Sequence, residues 1–323
     1  MIKVVFNFSI RIYHEGQKKE KNKKRKHRGP KFLDIVDNTI KTLLATRGKS
    51  TIDNYRTAIA SFVRYAGSNV SVGDISKQMV EGWQLWLKEQ GVKLNTISCY
   101  MRSLRSIINL SDMPSIVSNV FNTVFTGNLK TDKRSMSTSD LQKLRTIQLP
   151  KGSSLCFDRD LFLFCVYALG MPFVDVAFLR KKQIVNGYIE YQRHKTRQPI
   201  RVKIEPQMQR IIKRYSLPDS AYVFPVLTTG SMKEYETARN RYNSHLRQIS
   251  KIAGLRRSLT SYVARHSWAS MAYSNNVDLA VISKALGHSN TETTMVYIRE
   301  IDDNRIDMAN HKLLGTITKA TYH

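Results

Sequence analysis

Two short strings carry residues that could handle a phosphate ester, and a third adds a cation. In "SYVARHSWAS", Arg265 and His266 interrupt an otherwise apolar run formed by Val263, Ala264, Trp268 and Ala269. Few acids lie nearby in the sequence. An arginine in such surroundings needs an anion, and the planar guanidinium fork matches a phosphate. The alternatives are a snorkelling surface residue or a buried ion pair. "LGHSNTETTMVY" ends one helix at Gly287-His288, caps the next at Ser289 or Asn290 and reaches Tyr297. Taken singly, Tyr297 at helical spacing reads as a core residue and His288 after a glycine as a turn residue. Lys195 in "RHKTRQP" reads as a solvated charge at a hairpin tip.

These residues need elements to position them. From Lys31 to about Val124 the periodicity is helical. "KFLDIVDNTIKTLLATR" sets Phe32, Ile35, Val36, Ile40, Leu43 and Leu44 near one face, and "STIDNYRTAIASFVRYAG" begins on a Ser/Thr cap. "DISKQMVEGWQLWLKEQG" has Val80, Trp83, Trp86 and Leu87 at helical spacing and ends on Gly91. "NTISCYMRSLRSIINL" buries Ile97, Met101, Leu104 and Ile108 and turns Arg102 and Arg105 to its other side. "TGNLKTDKRSMSTSD" lacks periodicity and reads as an exposed linker. Beyond it come a capped helix near Ser139 and an apolar helix over Leu161–Leu169. A basic-tipped antiparallel hairpin follows, with strands Tyr188–Gln192 and Ile200–Ile204. Helices are then expected around Glu205–Tyr215, Lys233–Ala253, Val263–Ser274, Leu279–Leu286 and Thr291–Glu300. In "CVYALGMPFVDVAFLRKKQ" the apolar run breaks at Gly170-Met171-Pro172 and restarts at once, because proline removes a donor and glycine loosens the backbone.

The chain has 323 residues, enough for two domains, with 52 Lys and Arg against 25 Asp and Glu, a net charge of +27. A surface this basic repels itself unless it meets a polyanion; nucleic acid is the first expectation, ahead of an anionic membrane surface or a ribosome-like assembly. Residues 1–30 hold ten Lys and Arg and two Glu, which leaves +19 on the rest of the chain. The run "KKEKNKKRKHR" reads as a solvated tail, yet the basic character extends through the domains. Three scattered cysteines (Cys99, Cys156, Cys165) show neither pairing nor metal-ligand spacing, which fits a reducing cytoplasm. No apolar run reaches the length of a membrane span, and no signal-type core follows the basic N-terminus.

In order and spacing, "YVARHSWAS", "LGH" and Tyr297 downstream of a Lys-bearing hairpin resemble the tyrosine recombinase (phage integrase) family. "GMPFVDVAFLRKKQI", "YQRHKTRQPIRV" and "LTSYVARHSWASMA" are particularly similar to Bacteroidetes-type site-specific integrases and DNA invertases, mobile-element recombinases of bacteria. The likeness covers roughly 131–312, and 31–125 is similar by architecture to the family's SAM-like core-binding domain. The resemblance implies a mainly α chain with a small antiparallel β-hairpin or sheet. A basic segment 1–30, the SAM-like four-helix DNA-binding domain 31–125 and a linker 126–136 would precede an α+β catalytic domain 137–312 and a tail 313–323. The stretch "NRIDMANHKLLGTI" would be exchanged between protomers.

The activity implied is site-specific cutting and rejoining of duplex DNA through a 3′-phosphotyrosyl intermediate, with no metal or other cofactor. Tyr297 would be the nucleophile, Arg265 the phosphate clamp and Lys195 the general acid for the departing 5′-oxygen. His288 would bond a non-bridging oxygen or orient the nucleophile. Tyr262 stands where most members carry histidine and can still donate to phosphate. Arg102, Arg105, Arg197 and His266 would contact DNA. The partners implied are duplex DNA with specific recombination sites and three further copies of the chain, in the cytoplasm at the nucleoid. One departure stands out. The family's first catalytic arginine belongs two residues after Gly170 or immediately before it, and those slots hold Pro172 and Leu169. Arg180, Lys181 and Arg197 are the candidates to replace it. The competing readings are a non-cutting accessory DNA-binding member of the same family and a type IB-like topoisomerase.

Overall fold

The computed structural model describes residues 30–110, 119–129, 135–288 and 292–295, with 310, 311 and 314. The chain divides into two compact units, Met1–Thr131 and Asp132–His323. Among the described residues no helix is long and apolar enough to cross a membrane.

The first unit holds α1 (Phe32–Leu44), α2 (Lys49–Ala66), α3 (Lys77–Glu89) and α4 (Leu94–Asn109). Their apolar stripes meet around Trp83, which stacks on Tyr100 and takes the edge of Phe62 at 5.1 Å; Phe62 in turn meets Phe32. Large aromatic groups in offset or edge contact are how a small bundle gains most of its buried area. Ser76 caps α3 by accepting from Met79 N at 3.2 Å. Two details differ from the sequence pattern. Leu44 is 54% exposed, because α1 ends there and the last turn rotates it off the stripe. Helix α2 starts at Lys49 after Gly48 and has no side-chain cap, so Ser50 and Thr51 fall inside its first turn. Asn95 and Ser98 of α4 bind the backbone of Leu129 and Gly127, which ties the start of the expected linker to this unit.

The second unit is built around α6 (Ser154–Tyr167), apolar on nearly every side and therefore central. Helices α8 (Pro206–Tyr215), α9 (Met232–Ile252) and α10 (Val263–Ser274) pack on it, with α5 (Thr138–Thr146) at its side. Its buried carboxylates are paired. Asp158 meets His245 at 2.5 Å, and Asp160 accepts from Arg159, Arg214 and Tyr215. The expected hairpin gains a short third strand, giving a sheet in the order β1 (Ile184–Val185), β2 (Tyr188–Gln192), β3 (Pro199–Lys203), antiparallel throughout. Helices α11 (Leu279–Leu286) and α12 (Glu292–Met295) complete the described part.

The break after α6 is a corner. Leu169 (φ 58°) and Gly170 (φ 68°) both adopt the left-handed region, and Met171 N donates back to Cys165 O. Pro172 then opens α7 (Phe173–Ala177) from outside its first turn, where its fixed φ is suitable and its missing N–H costs nothing.

Candidate active site

The site forms where this corner, the β2–β3 turn and the end of α11 meet the first turn of α10. Arg265 is the third residue of α10 and only 3% exposed. Its Nη1 donates to Gly170 O at 3.3 Å and its Nη2 to Leu286 O at 2.5 Å. The same Nη2 lies 2.9 Å from His288 Nε2. A buried guanidinium must satisfy its donors, and here backbone carbonyls and an imidazole do so. Gly170 is needed for this approach: a Cβ there would stand 2.9 Å from the Arg265 Cα.

His288 is placed by the way α11 stops. Gly287 takes φ 64°, its N–H bonds Lys284 O, and His288 N bonds Ser283 O, the pattern of a Schellman cap. A side chain at 287 would meet Arg193 Cδ at 2.8 Å and Ile200 Cδ1 at 2.9 Å. The Nδ1 of His288 pairs with the buried Thr294 Oγ1 at 2.8 Å. Burial, then the charges of Arg265, Arg193 and Lys195, push the His288 imidazole down to about 4.

The β2–β3 turn contributes from the opposite side. Arg193 closes the turn by donating its N–H to Gln198 O, and Arg197 (φ 58°) donates back to Arg193 O. Lys195 is exposed at the tip. Thr196 Oγ1 donates to Gly287 O at 3.3 Å. Arg193 itself points inward, 7% exposed, and donates from Nη1 to Leu286 O at 2.6 Å. Asp175 of α7 faces it, with Oδ2 3.5 Å from Arg193 Nε and Oδ1 accepting from His194 N. Burial raises the Asp175 carboxyl, and the His194 N–H and Arg193 oppose that shift.

Arg265, His288 and the Lys195 turn are thus brought together. Tyr262 stands at the start of α10, 47% exposed, with its ring edge-on to the half-buried His266 at 4.7 Å. Arg197 is exposed on the turn, and Arg102 and Arg105 are exposed on α4 of the first unit. Tyr297 and most of the expected C-terminal stretch lie outside the described residues. Of the candidates for the missing corner cation, Arg180 lies over the Tyr222 ring at 5.7 Å, and Lys181 Nζ donates to Leu217 O and Pro218 O. Sequence reasoning missed Arg193 and Asp175. The alternation of β2 could have found Arg193, since buried Ile189 and Tyr191 point the next-but-one residue to the same face. For Asp175 the signal was a lone acid in the apolar "PFVDVAFL".

Comparison with known proteins matches residues 135–304 to the phage integrase family and residues 31–111 to the phage integrase SAM-like domain. Tyrosine recombinase XerD of Oceanobacillus iheyensis is 21% identical over 268 residues, 77% of this chain and 86% of that one. Two solved structures share the fold. One is the Tn1549 transposon integrase in complex with transposon right end DNA (TM-score 0.65, 12% identity, 87% of this chain and 99% of that one). The other is a lambda integrase tetramer bound to a Holliday junction (TM-score 0.62, 16% identity, 84% and 80%).

Proposed function

Because the chain belongs to the phage integrase family of tyrosine recombinases, we propose that it is a site-specific DNA recombinase working through a 3′-phosphotyrosyl intermediate. The Tyr297 hydroxyl gives up its proton to solvent as its oxygen attacks the scissile phosphorus, the bond to the 5′-oxygen breaks, and Lys195 donates a proton to that oxygen. The 5′-hydroxyl of the recombination partner reverses the step, so no metal, nucleotide or outside energy enters. Splitting one displacement into two in this way is covalent catalysis. Arg265 holds the non-bridging oxygens, where charge gathers in the transition state. His288 orients beside it. Tyr262 adds a donor at the mouth of α10, and Arg102, Arg105, Arg197 and His266 contact the duplex. The protein acts as a homotetramer on paired specific sites in the cytoplasm, on nucleoid DNA.

The observation that carries this reading is the buried Arg265, held between Gly170 O, Leu286 O and His288 Nε2 beside the Lys195 turn. The test is covalent capture. Duplexes with randomised arms and a nick that lets the cleaved end diffuse away are incubated with the protein. SDS-resistant adducts are recovered and sequenced. Wild type yields adducts on a shared sequence, and Tyr297→Phe yields none. Bound but uncleaved sites from wild type would instead establish the non-cutting accessory member, a reading favoured by Leu169 and Pro172 at the two arginine slots. Adducts without shared sequence, together with plasmid relaxation, would favour a topoisomerase.

A further inference from the structure

The corner at Leu169–Pro172 supplies backbone and no charge. Gly170 offers its carbonyl to Arg265, Leu169 packs on the apolar core, Met171 is buried and Pro172 opens α7. Yet a second positive charge does reach the same place, from a different element. Arg193 Nη1 and Arg265 Nη2 donate to one oxygen, Leu286 O, so these nitrogens stand no more than about 5.1 Å apart. Non-bridging oxygens of a phosphate diester are close enough together to be met from two such nitrogens. The shared carbonyl is the last of α11, an end that carries partial negative charge and attracts cations. A carbonyl dipole does not neutralise two guanidinium groups, and Asp175 is the carboxylate that faces Arg193. Lys195 adds a further positive charge that acts on His288. Buried like charges in such excess favour an incoming anion. Of the five donors on Arg193, one goes to Leu286 O and one faces Asp175, which leaves donors on Nη1 and Nη2 to offer.

We propose that Arg193 is the second guanidinium of the phosphate clamp, contacting a non-bridging oxygen of the scissile phosphate beside Arg265 in place of the cation absent from the corner. This rests on the strand-transfer reading above and names a further catalytic residue within it. Asp175 then holds the Arg193 guanidinium side-on, through Nε, and leaves its far edge to the phosphate.

The test uses a duplex recovered by covalent capture, made with an ordinary phosphate or with a methylphosphonate at the scissile position. The methylphosphonate lacks one charged oxygen and needs less neutralisation. Arg193→Ala is expected to slow adduct formation on the phosphate roughly a hundredfold or more, the scale of one lost transition-state donor. Its affinity for the duplex stays within a few-fold of wild type. On the methylphosphonate its deficit relative to wild type shrinks at least about tenfold. Arg193→Lys keeps a charge opposite Asp175 and preserves folding if the alanine variant does not fold; it shows the same narrowing from a smaller starting deficit. Wild-type rates in these variants would overturn the proposal. So would an equal deficit on both substrates, which would make Arg193 a residue that only holds the Leu286–His288 turn. Failure of wild type to form any adduct would overturn the strand-transfer reading first, and this one with it.

Discussion

Arg265 can only donate, so the His288 nitrogen 2.9 Å away is the bare one, and the ring proton sits on Nδ1, directed at Thr294 Oγ1. Burial and three nearby cations hold that neutral form by pushing the imidazole down to about 4. Because the folded value lies below the ordinary value near 6.5, the unfolded chain binds more protons between the two. The stability due to neutral His288 is therefore fully present above about pH 6.5 and is lost as pH falls toward 4. An NMR titration of the imidazole should show no protonation of His288 between pH 8 and 5.5. Its midpoint should rise toward the ordinary value in Arg265→Ala. A wild-type midpoint near 6.5 would mean that the ring is not held against the guanidinium.

At the scale of elements, the site depends on two places where backbone comes unusually close to an arginine. The corner after α6 brings Gly170 against the Arg265 Cα, and the end of α11 brings Gly287 against Arg193. Both glycines have positive φ, so alanine costs about 1–2 kcal/mol for the left-handed backbone alone. The steric conflict adds to this. Gly254 (φ 60°) follows α9 with open space where a Cβ would stand and isolates the backbone part. Chemical denaturation of Gly254→Ala should therefore show the backbone cost only, while Gly170→Ala and Gly287→Ala lose about 1–3 kcal/mol more from overpacking. Equal losses at all three positions would show that the two approaches are slack. The sheet works differently: Ile189, Tyr191 and Arg193 follow one alternating face, so the strand that buries apolar groups also delivers a charge.

For the whole molecule the dominant quantity is charge, +27 overall and +19 outside residues 1–30. Neutralising DNA phosphates releases counterions, so affinity for duplex should fall about a thousandfold or more between 50 and 200 mM salt. A chain lacking residues 1–30 should keep a steep slope, since most of the excess lies elsewhere; a nearly flat slope would place DNA binding in the tail alone. The sequence by itself determined this charge, the four helices around Trp83, the hairpin and the order of Lys195, Arg265, His288 and Tyr297. Periodicity, turn residues and composition are local signals, and these features are local. It could not tell whether Arg265 was a snorkelling residue, a buried pair or an anion site, nor what charge accompanied it. That Arg265 is buried among backbone carbonyls and an imidazole, with Arg193 on the same carbonyl, depended on Gly170 meeting a guanidinium 95 residues away and on Arg193 reaching a carbonyl 93 residues away. Contacts at such separations are fixed by how α6, α10, α11 and the sheet pack, which no spacing within one element encodes.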